Sequence, residues 1–160
     1  MLIKIEHRSE EILKIYFDNC CYNRPFDDLT KGNNDIEAKA IENLIIKSTN
    51  KEVVIYTSSA VDYEMSKIPI GSKKTYIEDV YTSLRLEYID FSADIKSRAD
   101  DLQKQNVHKL DAYHIAYAEK ANVDYLLTTD KQMRNSGRKS DTKIEIINPL
   151  ELVMGGAMDE

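Results

Sequence analysis

The run Glu52-Val53-Val54-Ile55-Tyr56-Thr57-Ser58-Ser59-Ala60-Val61-Asp62-Tyr63-Glu64 decides the fold. Val53, Val54, Ile55 and Tyr56 are β-branched or aromatic without polar alternation, the pattern of a strand buried on both faces, as in a parallel sheet. Two serines follow at once, either of which can cap a helix, and Asp62 favours its first turn. A buried strand running straight into a helix is half of a βαβ unit.

The same pattern repeats outward from this run. Upstream, Ile12–Phe17 reads as a strand ending at Asp18. Residues 22–33 read as a loop, with Pro25, Gly32 and the pair Asn33-Asn34. Asp35–Thr49 places Ile36, Ala40, Ile41, Leu44 and Ile45 on one helical face. Downstream, the helix begun at the serines runs to about Lys67 and stops before Pro69. Helix is expected over 72–84, a strand over Leu86–Phe91, and a helix over 93–105 capped by Ser92. A further helix spans Val107–Ala121, followed by a strand at Asp124–Thr128, a short helix from Lys131 and a last strand at Ile144–Ile147. This alternation predicts an α/β fold, a three-layer sandwich with a central parallel sheet flanked by helices. One domain is expected over residues 1–150, with 151–160, after Pro149, as a flexible, frayed tail. Residues 1–11 read as an extra edge strand or a flexible leader.

The bulk composition excludes several classes. The chain has 160 residues, 42% of them hydrophobic, enough for one buried core. No apolar run is long enough to span a membrane, and the first residues lack a secretory signal, so a cytoplasmic protein without a membrane partner is expected. The net charge of −6 argues against a broadly basic nucleic-acid-binding surface, although bound divalent ions would add positive charge locally. Cys20 and Cys21 are adjacent, which strains a disulfide and does not match zinc-site spacing. They read as reduced thiols buried at the first strand–helix junction.

Four acids stand where strands stop or helices start: Asp18, Glu64, Asp111 and Asp130. A carboxylate just past a parallel strand lies at the carboxyl edge of the sheet, where open α/β sheets bind ligands. Gathered there, carboxylates repel one another unless protons or cations neutralise them, and a hard divalent cation takes oxygen ligands. Each acid also has a plainer role: Asp18 and Asp130 can be turn or cap residues, and Asp62 can replace Glu64 on sequence grounds. Asp111, among Ala112, Ile115, Ala116 and Ala118, lies on a helix that should be buried and so needs a partner.

The segments Ile15-Tyr16-Phe17-Asp18-Asn19-Cys20, Ser58-Ser59-Ala60-Val61-Asp62-Tyr63-Glu64, Leu110-Asp111-Ala112-Tyr113-His114-Ile115-Ala116 and Asp124-Tyr125-Leu126-Leu127-Thr128-Thr129-Asp130 resemble the ordered motifs of PIN-domain proteins, including VapC-type toxin ribonucleases. The resemblance implies a metal-dependent endoribonuclease whose catalytic and metal-binding residues are Asp18, Glu64, Asp111 and Asp130. It implies Mg²⁺ or Mn²⁺ as cofactor, polarising the scissile phosphate and activating a water. Asn19, Thr128 and Thr129 match positions near the site that contact substrate, carboxylate or water. The implied partners are RNA, single-stranded or transfer RNA, an antitoxin protein and a second copy of the chain in a homodimer. Lys131, Arg134, Arg138, Lys139 and Lys143 crowd the segment after Asp130 and could track a phosphodiester backbone, with Lys131 and Arg134 nearest the site. Tyr22, Tyr63 and Tyr113 could stack on bases. His114, one turn after Asp111, is a metal ligand, a proton shuttle or a packed histidine bonded to a neighbour.

Two other classes compete. A non-catalytic RNA- or protein-binding module of the same fold would suit the acidic charge but leaves the clustered carboxylates unexplained. A phosphoryl-transfer enzyme with an aspartate nucleophile would carry Asp-x-Asp after the first strand, where this chain has Asp18-Asn19-Cys20.

Overall fold

A computed structural model describes residues 12–155. The expectation for residues 1–11 lies outside them, as does that for 156–160. Five strands form one sheet: β1 (Leu13–Phe17), β2 (Val53–Ser58), β3 (Glu87–Ile89), β4 (Tyr125–Leu127) and β5 (Glu145–Ile147), in the order β3-β2-β1-β4-β5. All neighbours pair in parallel. Leu13 faces Val53, Phe17 faces Leu127, Ser58 faces Ile89 and Leu127 faces Ile147. Ile15, Tyr16 and Phe17 are all fully buried although successive side chains point to opposite faces, so helices cover both faces of the sheet. This is the three-layer α/β sandwich expected from the sequence.

The intervening helices are α1 (Asn19–Asn23), α2 (Asn34–Thr49), α3 (Ser59–Ser66), α4 (Ser72–Ser83), α5 (Ala93–Lys104), α6 (Lys109–Ala121), α7 (Lys131–Lys139) and α8 (Pro149–Met154). Their starts follow local chemistry. Ser58 accepts from the Ala60 N–H at 3.2 Å and caps α3, which decides between the two serines. Asp130 Oδ1 accepts from the N–H groups of Gln132 and Met133, at 2.9 and 3.3 Å, and caps α7. At its other end α6 is closed by Asn122 in the left-handed region, φ 54°, a conformation asparagine tolerates.

Three expectations change. The segment 22–33 is not all loop: α1 continues from Asp18, and a 3₁₀ turn over Arg24–Phe26 follows, with Pro25 near its start. Arg24 holds this turn in place, bonding Asp27 and Thr129, each at 2.9 Å, and pairing with the buried Glu37 at 3.1 Å. The strand expected over Leu86–Phe91 shortens to Glu87–Ile89, because among the described residues β3 stands at the edge of the sheet and pairs only with Tyr56–Ser58. The chain after Pro149 is not frayed through Met154. Asn148 and Glu151 form a capping box, and Leu152 is buried.

The β1/β4 boundary is where the strand order reverses, and the crevice at its carboxyl edge is the switch point of the sheet. Asp18 follows β1 there, its N–H bonded to the Leu127 carbonyl at 3.0 Å. Thr128 follows β4 with its own N–H bonded to the Ile147 carbonyl at 3.0 Å. At the opposite edge Asp124 clamps the same two strands, exchanging bonds with Lys14 at 2.8 and 2.9 Å.

Candidate metal centre

Strand periodicity puts Tyr16 and Asp18 on one face of β1, and helical periodicity puts Asp111 and His114 on one face of α6. The two faces meet. His114 is fully buried, with Nε2 2.5 Å from Glu64 Oε1 and 3.4 Å from Asp18 Oδ1. Its Nδ1 lies 2.7 Å from the Tyr16 hydroxyl, which in turn lies 2.6 Å from Ser58 Oγ. Ser58, Tyr16, His114 and Glu64 thus form one chain of hydrogen bonds through the core. One ligand atom each from Asp18, Glu64 and His114 fit within 4.8 Å of one another.

Glu64 and Asp62 have different partners. Two residues apart on α3, they point in different directions. Glu64 meets His114, whereas Asp62 accepts from the hydroxyls of Tyr81 at 2.8 Å and Tyr88 at 3.1 Å.

Asp18 is buried and held from the other side. The Thr128 hydroxyl donates to Oδ2 at 2.8 Å, and the Cys20 thiol donates to the same oxygen at 3.4 Å. Cys20 also lies 3.2 Å from Thr128 Oγ1 and accepts from the Thr129 N–H at 3.3 Å. Only Cys21 is fully buried; Cys20 is half-exposed at the site and belongs to its lining. Thr129 turns away, its hydroxyl accepting from Arg24. Asn19 is buried, and its Oδ1 has no hydrogen-bond partner among the described residues.

Asp111 and Asp130 complete the charge distribution. Burial pushes the Asp111 carboxyl up to about 6, helped by the charges of Asp18, Asp130 and Glu64, while His114 opposes the shift. For His114 burial alone would lower the pKa, but the carboxylates of Asp18, Glu64 and Asp111 outweigh it and raise it above its ordinary value. Asp111 and His114 therefore both hold their protons more tightly in the fold, drawn by the surrounding carboxylates. Two carboxylates and an imidazole with ligand atoms within 4.8 Å of one another fit a bound divalent cation. Asp18, Glu64 and His114 form the close set; Asp111 and Asp130, expected from the sequence as ligands, lie outside it, and Asp111 feels it through charge.

Other anticipated residues are placed differently. Tyr22 cannot stack on a base: it is buried edge-on between Phe17 and Tyr81, with ring centroids 5.5 and 5.1 Å away. Tyr63 is exposed and Tyr113 half-buried. Arg134 is half-buried and donates to the Thr128 carbonyl at 2.9 Å, which braces the end of β4. Arg138 is exposed but engaged, donating to the Ile146 carbonyl at 2.8 Å and pairing with Glu151 at 3.5 Å, whereas Lys131, Lys139 and Lys143 are exposed cations with no ion pair among the described residues. Tyr16 and Ser58 were not anticipated as members of the site. The signal for Tyr16 was present, since a polar hydroxyl two residues before Asp18 must point the same way.

Residues 26–139 match the family model of the PIN domain. The chain belongs to the PIN domain family. PIN domains are typically nucleases and usually use a divalent metal, which supports a hydrolase in general. The matched span takes in Glu64, Asp111 and Asp130, and Asp18 joins them through the β1–β4 pairing. No curated protein matches this PIN domain in sequence. Among solved structures it is similar to VapBC2 from Rickettsia felis, bound to a DNA fragment from its promoter. That match has a TM-score of 0.56 at 20% identity and covers 85% of this chain and 98% of the other. It is also similar to PAE2754 from Pyrobaculum aerophilum, with a TM-score of 0.54 at 13% identity, covering 92% of this chain and 91% of the other. At these identities the two structures speak for the fold alone. No helix among the described residues is long and apolar enough to cross a membrane.

Proposed function

We propose that this PIN domain is a Mg²⁺- or Mn²⁺-dependent endoribonuclease and the toxin of a toxin–antitoxin pair. The observation that carries the reading is the meeting of Asp18, Glu64 and His114 within 4.8 Å at the sheet's switch point, with Asp111 and Asp130 in the same field. A divalent ion held there by the carboxylates would supply Lewis acidity toward the scissile phosphate. The chain's own residues do the positioning. Thr128 and Cys20 fix the Asp18 carboxylate, and His114 fixes Glu64. Tyr16 and Ser58 hold the imidazole in turn, so the first carboxylates cannot rotate independently. Asp130 spends Oδ1 on capping α7, which directs the whole carboxylate. Lys131, next in the chain and exposed, would meet a phosphate in this reading, whereas the Asn19 oxygen is buried and would take a substrate contact only if the site opened around it.

The substrate in this reading is single-stranded or transfer RNA. The toxin role is the finer part of the proposal, and the likeness in fold to a VapBC complex supports it. It brings an antitoxin that covers the carboxylate crevice, a homodimer, a single domain over the described residues and a cytoplasmic location.

The test compares cleavage of a transfer-RNA and single-stranded-RNA panel by wild type and Asp18→Asn, with Mn²⁺ and with EDTA. Cleavage that needs both Mn²⁺ and Asp18 is the expected result. No metal-dependent cleavage, with no melting shift on adding Mn²⁺, would overturn the reading in favour of a non-catalytic binding module.

A further inference from the structure

Helix α7 has two unlike faces. Met133 and Gly137 are buried toward the sheet, where a Cβ at Gly137 would overlap the Ile146 side chain. Away from them Lys131, Asn135 and Lys139 follow one another every fourth residue and so align along the helix. With Gln132 and Asn106 they line an open cavity of about 690 Å³, between α7 and the turn that joins α5 to α6. Asn106 holds that turn with a φ of 72°. The cavity lies next to Asp130, because Lys131 and Gln132 directly follow it and the Gln132 N–H is bonded to Asp130 Oδ1 at 2.9 Å.

Its chemistry differs from the rest of the molecule. The chain carries a net charge of −6, yet no lining residue of this cavity is acidic, and its charged residues are both lysines. Neither lysine is in an ion pair among the described residues. The depression around Arg98 makes the contrast. It is rimmed by Glu119, Asp124, Asp141 and Glu145, and its arginine is already bonded to Glu119 at 2.7 Å and Asp141 at 2.8 Å. The α7 cavity falls in the size range of small-ligand sites. Its primary amines suit phosphate. Its amides each offer a donor and an acceptor, the pattern that reads the edge of an unstacked base. The side chains of Asn106 and Asn135 bond to no other described residue, whereas Gln132 Nε2 is steadied 3.0 Å from His108 Nε2. Lys131 and Lys139 lie roughly 12 Å apart along the axis, since eight residues separate them at about 1.5 Å each, enough to bracket a nucleotide.

We propose that this cavity is a nucleotide subsite that seats one base of single-stranded RNA beside Asp130 and thereby sets which sequence is cut. Asn106 and Asn135 read the base edge, and Lys131 and Lys139 hold the flanking phosphates. The proposal rests on the nuclease reading for its second half only, because base-selective binding needs no cleavage.

The test uses the full chain, ¹⁵N-labelled and in EDTA, titrated with each of the four ribonucleoside 5′-monophosphates and with adenosine and uridine octamers. One base should shift the Asn135 side-chain amide more than the others do. Asn135→Leu, at an exposed position, should weaken that nucleotide about tenfold at unchanged melting temperature, as expected when a base-reading amide is lost. Lys139→Ala should lower the salt dependence of octamer binding by about 0.7 in slope, one phosphate's worth. Equal shifts for all four nucleotides, or unchanged binding by Asn135→Leu, overturn the subsite. Mapping cuts on a randomised RNA with Mn²⁺ separates the two ideas. Cuts at the same positions in wild type and Asn135→Leu overturn the subsite and leave the nuclease standing. Base-selective binding by a wild type that does not cut overturns the nuclease and keeps the subsite.

Discussion

Replacing Asp111 by Asn should make the metal-free protein more stable while removing its response to metal. Asp111 is half-buried and makes no hydrogen bond to another described residue, so an amide of the same shape forfeits none. Its carboxyl moves from 3.8 in the unfolded chain to about 6 in the fold. The folded state therefore keeps a proton that the unfolded state releases, and stability falls as pH rises from about 4 to 6, then stays lowered. A shift of that size corresponds to about 3 kcal/mol at neutral pH, which partial solvent exposure reduces to ~1–2 kcal/mol. A carboxylate in the first turn of α6 regains roughly 0.3–1 kcal/mol from the helix dipole. The net gain from Asp111→Asn is thus about 1 kcal/mol, or roughly 2–4 °C in melting temperature for a chain of this length. The assay is thermal unfolding of both proteins at pH 7.5 and pH 4, in EDTA and in Mn²⁺. In EDTA at pH 7.5 the variant should melt higher; at pH 4, where wild-type Asp111 is protonated, the difference should vanish. Saturating Mn²⁺ should raise wild type by about 2.7 kcal/mol at a hundredfold excess over Kd and the variant by much less, so the order reverses. A variant less stable than wild type in EDTA at pH 7.5 would refute the idea that crowded negative charge strains this site.

Three further outcomes follow from the geometry. Glu64→Gln should lose most of the Mn²⁺-induced melting shift while Asp62→Asn keeps it, because only Glu64 reaches His114; equal loss in both would place the centre wrongly. Tyr16→Phe should cost about 1–3 kcal/mol in urea unfolding, since it leaves the buried Ser58 and His114 without their common partner; a neutral result would mean that the relay is not formed. Leu152→Ala should cost about 2–5 kcal/mol if α8 is docked in the core, against less than about 0.5 kcal/mol for a loose tail.

The fold was legible wherever local chemistry and burial agreed. Val53–Tyr56 could be nothing but a buried strand, and Ser58, Ser92 and Asp130 mark helix starts that the structure keeps. It was illegible where a distant partner decides. The turn at Arg24 depends on Glu37 and Thr129, and α8 depends on the surface that receives Leu152. The candidate site shows the same division. The four acids stand out because an acid after an apolar strand is conspicuous, but that Glu64 meets His114 while Asp62 meets Tyr81 and Tyr88 depends on partners distant in sequence. Arg134 reads as a free cation until the Thr128 carbonyl beside it is known. Cys20 reads as inert until Thr128, 108 residues away, is brought against it.

That long reach has a consequence for the life of the chain. Asp18 and the threonine that holds it are 110 residues apart, and Tyr16 and its histidine 98. The centre strands β2, β1 and β4 come together only after most of the polypeptide has been made, and loop closure over such spans is slow. During synthesis the first carboxylate leaves the ribosome early and waits without a pocket. Any fragment that ends before β4 lacks Thr128 and Asp130 and has no complete centre. Were the proposed nuclease reading right, a nascent chain would carry no complete centre until Thr128 and Asp130 had emerged.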